Sequence, residues 1–178
     1  MSPLPGASPA PASFLFLPGG HAPLVGAPIT ADEIEEINDA IRELSLTDKE
    51  IGYGVEPGER VSLRRLEAIV AGVPDAPPTD QAAWLLRALV LVQPFPDANH
   101  RTGVAAAELI LRRRGLRFRP SVERAATFQR VVTSARYKLL GGYDDAPLTV
   151  LSHYADPVYD ACRTFIAGSS AEGTKDRP

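Results

Sequence analysis

The chain has 178 residues, 44% of them hydrophobic and 23% charged, with a formal net charge of −3. That length suits one domain burying roughly 70% of the surface its unfolded chain would expose, and the slight acidity argues against a general attraction to nucleic acid. The single cysteine, Cys162, excludes an intramolecular disulfide. It fits a reducing, cytoplasmic setting and reads as a small apolar core residue, not a nucleophile. No apolar run reaches the ~20 residues of a membrane-spanning helix, and no basic segment precedes Phe14–Leu17 to make a secretory leader.

Residues 1–29 contain Pro3, Pro5, Pro9, Pro11, Pro18, Pro23 and Pro28, which no helix or central strand tolerates. The expectation is an extended arm, with Phe14, Leu15, Phe16 and Leu17 either pinned to the body or offered to a partner. A helical body is expected over 30–167. Its first helix opens at Thr30, where Thr30 and Glu33 have the spacing of a capping box and Ile29 and Ile34 that of a hydrophobic staple. Ile34, Ile37, Ile41 and Leu44 then line one face. Gly52, Gly54, Pro57 and Gly58 mark a loop. The stretch from Val61 to Val70 reads either as a short helix or as part of a short flap or hairpin near 55–63.

After a proline-rich break, Thr79 or Asp80 is expected to cap a helix over Gln81–Val92. This segment is apolar nearly all round and should be the central buried helix. Pro94 ends it. Asn99–Arg114 predicts the next helix, closed by Gly115, with Arg112, Arg113 and Arg114 opposing its negative end. That basic run reads first as a solvated helix end and second as a local nucleic-acid patch. Val122–Leu140 predicts a helix stopped by Gly141 and Gly142. Pro147–Ile166 predicts a last helix, kinked or divided at Pro157. Residues 168–178 are small and polar, and a disordered tail is expected. The fold class is therefore all-α.

The chemistry concentrates between Gln93 and Gly103, read Gln-Pro-Phe-Pro-Asp-Ala-Asn-His-Arg-Thr-Gly. A helix beginning at Asn99 turns its first backbone amides, and the positive end of its dipole, toward whatever lies before it. Arg101 adds a fork suited to phosphate oxygens. Asn99 can bond a phosphate or orient the loop. Asp97 has the chemistry of a Mg²⁺ ligand. Gly103 allows close packing against a neighbour. The plainer alternative is that Asp97 caps the helix and pairs with Arg101. His21 in the arm and His153 near Asp156 are weaker candidates, and no Cys/His cluster, Walker pattern or Gly-x-Ser-x-Gly is present.

The segment resembles the signature of the Fic/Doc (Fido) family, roughly His-x-Phe-x-Asp/Glu-Gly/Ala-Asn-Lys/Gly-Arg, with Phe95, Asp97, Asn99 and Arg101 at matching positions. Ala98 and Thr102 resemble the death-on-curing toxin branch, as does the helix from Thr30 to Leu44. The resemblance spans about residues 30–140 and is specific over 93–115. It implies a Fido helical bundle. It also implies transfer of a phosphoryl or nucleotidyl group from ATP or another nucleotide, with Mg²⁺, to a hydroxyl of a protein or small molecule. An antitoxin-like partner would accompany the toxin branch. Carried over by position, Asp97 would hold the metal, and Asn99, Arg101, Thr102 and Gly103 the phosphates.

Three positions depart from that pattern. Gln93 stands at the histidine that serves as base, and an amide has no useful acid–base range. Losing such a base costs roughly 10²–10⁴-fold in rate. His100 is a candidate substitute, though one residue past Asn99 it points about 100° away around the helix. Val104 replaces an arginine of the AMP-transferring branch. The alternative function is a non-catalytic module that binds a nucleotide or a protein partner.

Overall fold

The computed structural model describes residues 26–48, 52–54, 59–142, 145–152 and 155–172. The arm before Gly26 with His21, residues 55–58 of the expected flap, His153 and the last six residues lie outside them. The described residues form six α-helices and two short strands. They are α1 (Ala31–Thr47), α2 (Leu63–Ala71), α3 (Pro78–Val92), α4 (Asn99–Arg113), β1 (Leu116–Phe118), α5 (Val122–Leu140), α6 (Pro157–Ser169) and β2 (Ser170–Glu172), with a 3-10 helix at Leu148–Ser152 before α6. This is the all-α bundle the sequence pattern predicts.

α3 is the axis. Every side chain from Ala82 to Val92 is buried, because this helix has no polar face to offer water. α4 and α6 pack on it, α1 covers α4, and α5 lies on α6. Burying each large apolar side chain contributes about 1.5–3 kcal/mol, so Trp84, Leu85, Leu86, Leu89 and Leu91, all fully buried, make α3 the main source of cohesion. Gly103 is where α4 comes closest to α3: a Cβ there would sit 2.8 Å from Leu86 Cδ1.

The start of α1 is built as expected. Glu33 N–H donates to Thr30 Oγ1 at 3.3 Å and Thr30 N–H to Glu33 Oε2 at 2.9 Å. Glu33 also pairs with Arg113 at the far end of α4, and Arg113 donates to the Pro28 carbonyl at 3.1 Å. Arg113 is therefore 5% exposed, a strut between α1 and α4, and the reading of Arg112–Arg114 as a wholly solvated run is corrected at its middle residue.

Other boundaries differ for local reasons. α3 opens at Pro78, with Pro77 as its cap residue and no side-chain cap; proline at the first helical position has no amide to satisfy, so Thr79 and Asp80 fall inside the first turn. Residues 63–71 resolve the ambiguous stretch as helix. Pro157 divides the last predicted helix, because Asp156 caps a new one by accepting Tyr159 N–H at 2.8 Å. Residues 168–172, expected as disordered tail, instead end α6 and form β2, which pairs antiparallel with β1 in the register Phe118 to Ser170. Phe118 meets Phe165 edge-on at 5.6 Å, and Phe128 stacks on Phe165 at 4.2 Å, which locks the strand pair to the α5–α6 layer.

Candidate functional site

Where α3 stops, its last carbonyls need donors, and the bundle supplies them from three directions. Arg136 of α5 donates to Val90 O at 3.1 Å, Ala146 N–H to Leu91 O at 2.9 Å, and Arg65 of α2 to Val92 O at 2.9 Å. Asp145 bridges the two arginines, 2.7 Å from Arg65 and 4.0 Å from Arg136. Gln93 is the residue left at this tip. Its backbone is left-handed (φ 48°, ψ 68°), and its side-chain amide turns back to Val90 O at 3.4 Å.

Pro94 and Pro96 then carry the chain round to α4. Asn99 makes the turn by gripping Phe95 twice: Phe95 N–H donates to Asn99 Oδ1 at 3.0 Å, and Asn99 Nδ2 donates to Phe95 O at 2.8 Å. Of the two roles open to Asn99, this geometry serves loop orientation. Ala98, also left-handed (φ 63°), is the cap residue of α4, and the first intrahelical bond runs from Thr102 N–H to Ala98 O at 2.8 Å. The amides of residues 99–101 precede that bond and face out of the helix end.

Asp97 and Arg101 meet at this mouth, but not by pairing with each other. Asp97 Oδ1 accepts Ala98 N–H at 2.5 Å and Oδ2 accepts Gly54 N–H at 2.6 Å. Arg101 donates to Gly52 O at 2.6 Å. Thr102 faces inward, fully buried, accepting Asn38 Nδ2 at 2.9 Å, and Gly103 faces α3, so neither lies on the open side with Asp97 and Arg101. His100 turns to α5, with Nδ1 donating to Gln129 Oε1 at 3.2 Å. Burial holds its imidazole below the ordinary value; the Gln129 hydrogen bond opposes this and the Arg136 charge adds to it.

Two residues of this site were not singled out from the sequence. Asn38 of α1, 2% exposed, donates to the Asp97 carbonyl at 3.1 Å as well as to Thr102. Tyr53 donates its hydroxyl to Asn38 Oδ1 at 2.7 Å. Burial raises the Tyr53 phenol above its usual range; Asp97 and Asp39 add to this, while Arg42 and Arg101 oppose it. Only the buried asparagine at position 38, out of place on the apolar face of α1, hints at such a network.

Among the described residues no group of three or more His, Cys, Asp or Glu could hold a metal. Asp97 offers a hard carboxylate here, which fits Mg²⁺ held by one carboxylate together with phosphate and water oxygens. An open groove of about 670 Å³ lies elsewhere, between α5 and α6, lined by Arg124, Phe128, Asp160 and Phe165 among others; none of the residues from Gln93 to Gly103 lines it. No described helix is long and apolar enough to cross a membrane. Cys162 is buried, and burial together with the Asp156 charge drives its thiol far above the usual range, against the opposing Arg87 charge.

The acid and the guanidinium of the motif, Asp97 and Arg101, thus stand together at the start of α4 within a helical bundle. Residues 28–111 match the Fic/DOC family, which supports membership of that family, and the matched span runs from the strut at Pro28 through nearly all of α4. No curated protein and no solved structure matches the chain.

Proposed function

We propose that this protein is a Fic/Doc-type transferase close to the death-on-curing branch, with Gln93 in place of the family histidine. Its reaction would move a phosphoryl or nucleotidyl group from ATP or another nucleotide to a hydroxyl of a protein or small-molecule acceptor, in the cytoplasm and with an impaired base. The observation that carries this reading is the convergence of Asp97 and Arg101 at the mouth of α4. Arg101 and the amides of the first turn would hold phosphate oxygens, and Asp97 would hold Mg²⁺, which supplies charge neutralisation when bound. Asn99 shapes the loop, Thr102 ties it to α1, and Gly103 fixes the approach of α4 to α3.

A second reading, a non-catalytic module that binds a nucleotide or an antitoxin-like protein, is favoured by one specific observation. Neither Gln93, at the family's base position, nor His100, the candidate substitute, is turned to the mouth: Gln93 bonds back to Val90 and His100 bonds to Gln129. Restoring the base separates the two readings. With labelled ATP, Mg²⁺ and candidate acceptors, Gln93→His should raise transfer by roughly 10²-fold or more. Thermal stabilisation by ATP and Mg²⁺, lost in Arg101→Ala, is expected under the first reading and under the nucleotide-binding form of the second. Stabilisation with an inert Gln93→His leaves the binding module, and no stabilisation in either protein rejects nucleotide binding.

A further inference from the structure

The two charged side chains assigned to phosphate and cation are both engaged by one short segment. The amide of Gly54 points its positive end at Asp97 Oδ2, where a cation would sit, and the carbonyl of Gly52 points its negative end at Arg101, where a phosphate oxygen would sit, each at 2.6 Å. Tyr53, between them, is anchored through its hydroxyl to Asn38 at 2.7 Å. Asn38 is itself fixed to the Asp97 carbonyl and to Thr102, so the anchor stands on the buried seam between α1 and α4.

We infer that residues 52–54 form a strap that occupies the metal–phosphate site by mimicry, and that a phosphate-bearing ligand with its divalent cation binds only by displacing it. This rests on the reading of Asp97 and Arg101 given above. The same bonds would mean something different if the strap merely shaped the site, since loosening it would then weaken ligand binding. For a displaced strap the sign is opposite: affinity is reduced by the fraction of molecules in which the strap is open, so loosening it tightens binding. Tyr53 is the lever, because removing its hydroxyl weakens the anchor without touching Asp97 or Arg101. Gly54→Pro is a second lever, because it deletes the amide that Asp97 accepts.

The probe is inorganic pyrophosphate with Mg²⁺, titrated calorimetrically into the full chain, Tyr53→Phe, Gly54→Pro and Arg101→Ala. The expected result is binding about tenfold tighter in both strap variants, equivalent to about 1.4 kcal/mol, and weaker in Arg101→Ala. Hydrogen exchange at residues 52–54 of the unaltered chain should quicken at saturating pyrophosphate. Equal or weaker binding in both strap variants, or unchanged exchange on binding, overturns the strap while an Arg101-dependent affinity preserves the site. No binding by any variant that retains Arg101 overturns the site and the strap together.

Discussion

Gln93 and Ala98 hold left-handed backbone at the two ends of the motif loop without being glycine, at φ 48° and φ 63°. Such a residue costs on the order of 1–3 kcal/mol and persists only where its surroundings over-determine it. At Ala98 they do so closely: its amide donates to Asp97, its carbonyl receives the first bond of α4, and Asn99 clamps the preceding turn. Ala98→Val puts a branched Cβ in that conformation and should lower stability by about 1–3 kcal/mol, while Ala98→Gly should stay within about 1 kcal/mol of the original. Urea unfolding followed by Trp84, the chain's one tryptophan, measures both. Asp97 and Arg101 stood out in the sequence through the spacing they share with Phe95 and Asn99, since an acid and a guanidinium at a helix start serve equally as a cap and an ion pair. Their engagement by Gly54 and Gly52 was not legible, since those bonds join residues more than forty positions apart and involve backbone atoms that every residue possesses.

Elements were legible where their ends carry local chemistry. The capping box at Thr30, the glycine after α5 and proline at the start of α6 each act within a few residues. β1 and β2 were not, since three-residue strands take their identity from a partner more than fifty positions away. The contact between α4 and α5 at His100 is likewise tertiary, and it has a pH signature. His100 has its folded value lowered by burial, helped by Arg136 and opposed by Gln129. The unfolded chain therefore takes up the proton first, at about pH 6.5. Stability from the neutral imidazole is full above that value and is lost as pH falls through the lower folded value. Between about pH 7.5 and about pH 5.5, around that reference, urea unfolding should show a loss that His100→Gln lacks. Glu33 does not confuse this window. Burial pushes its carboxyl up, but the Arg113 and Thr30 contacts outweigh that and leave it below its ordinary value, so its contribution fails only in the acid carboxylate range.

At the scale of the molecule, the span that matches the family ends within α4, yet the tip of α3 that presents Gln93 is finished by residues beyond it. Arg136 and Ala146 cap α3 from outside the matched span, and Arg87 reaches outward from its centre. Arg87 is fully buried; its Nε donates to Asp156 Oδ2 at 2.7 Å and its Nη2 to Val150 O at 2.9 Å. Asp156 is at once the ion partner of α3 and the cap of α6, so one pair ties the start of the last helix to α3. A buried pair of this kind adds little over an apolar substitute, because desolvation offsets its attraction, but removing one partner strands the other charge and costs about 3–5 kcal/mol. Arg87→Ala should therefore lose about that much in urea unfolding, and Arg87→Met, which refills the space, should lose less of its packing while still stranding Asp156. Combining Arg87→Met with Asp156→Asn removes the stranded charge but keeps a capping oxygen for α6, so the double variant should recover most of the loss. If it unfolds as readily as Arg87→Ala, the pair's weight lies in the Arg87 hydrogen bond to Val150, and not in compensated charge.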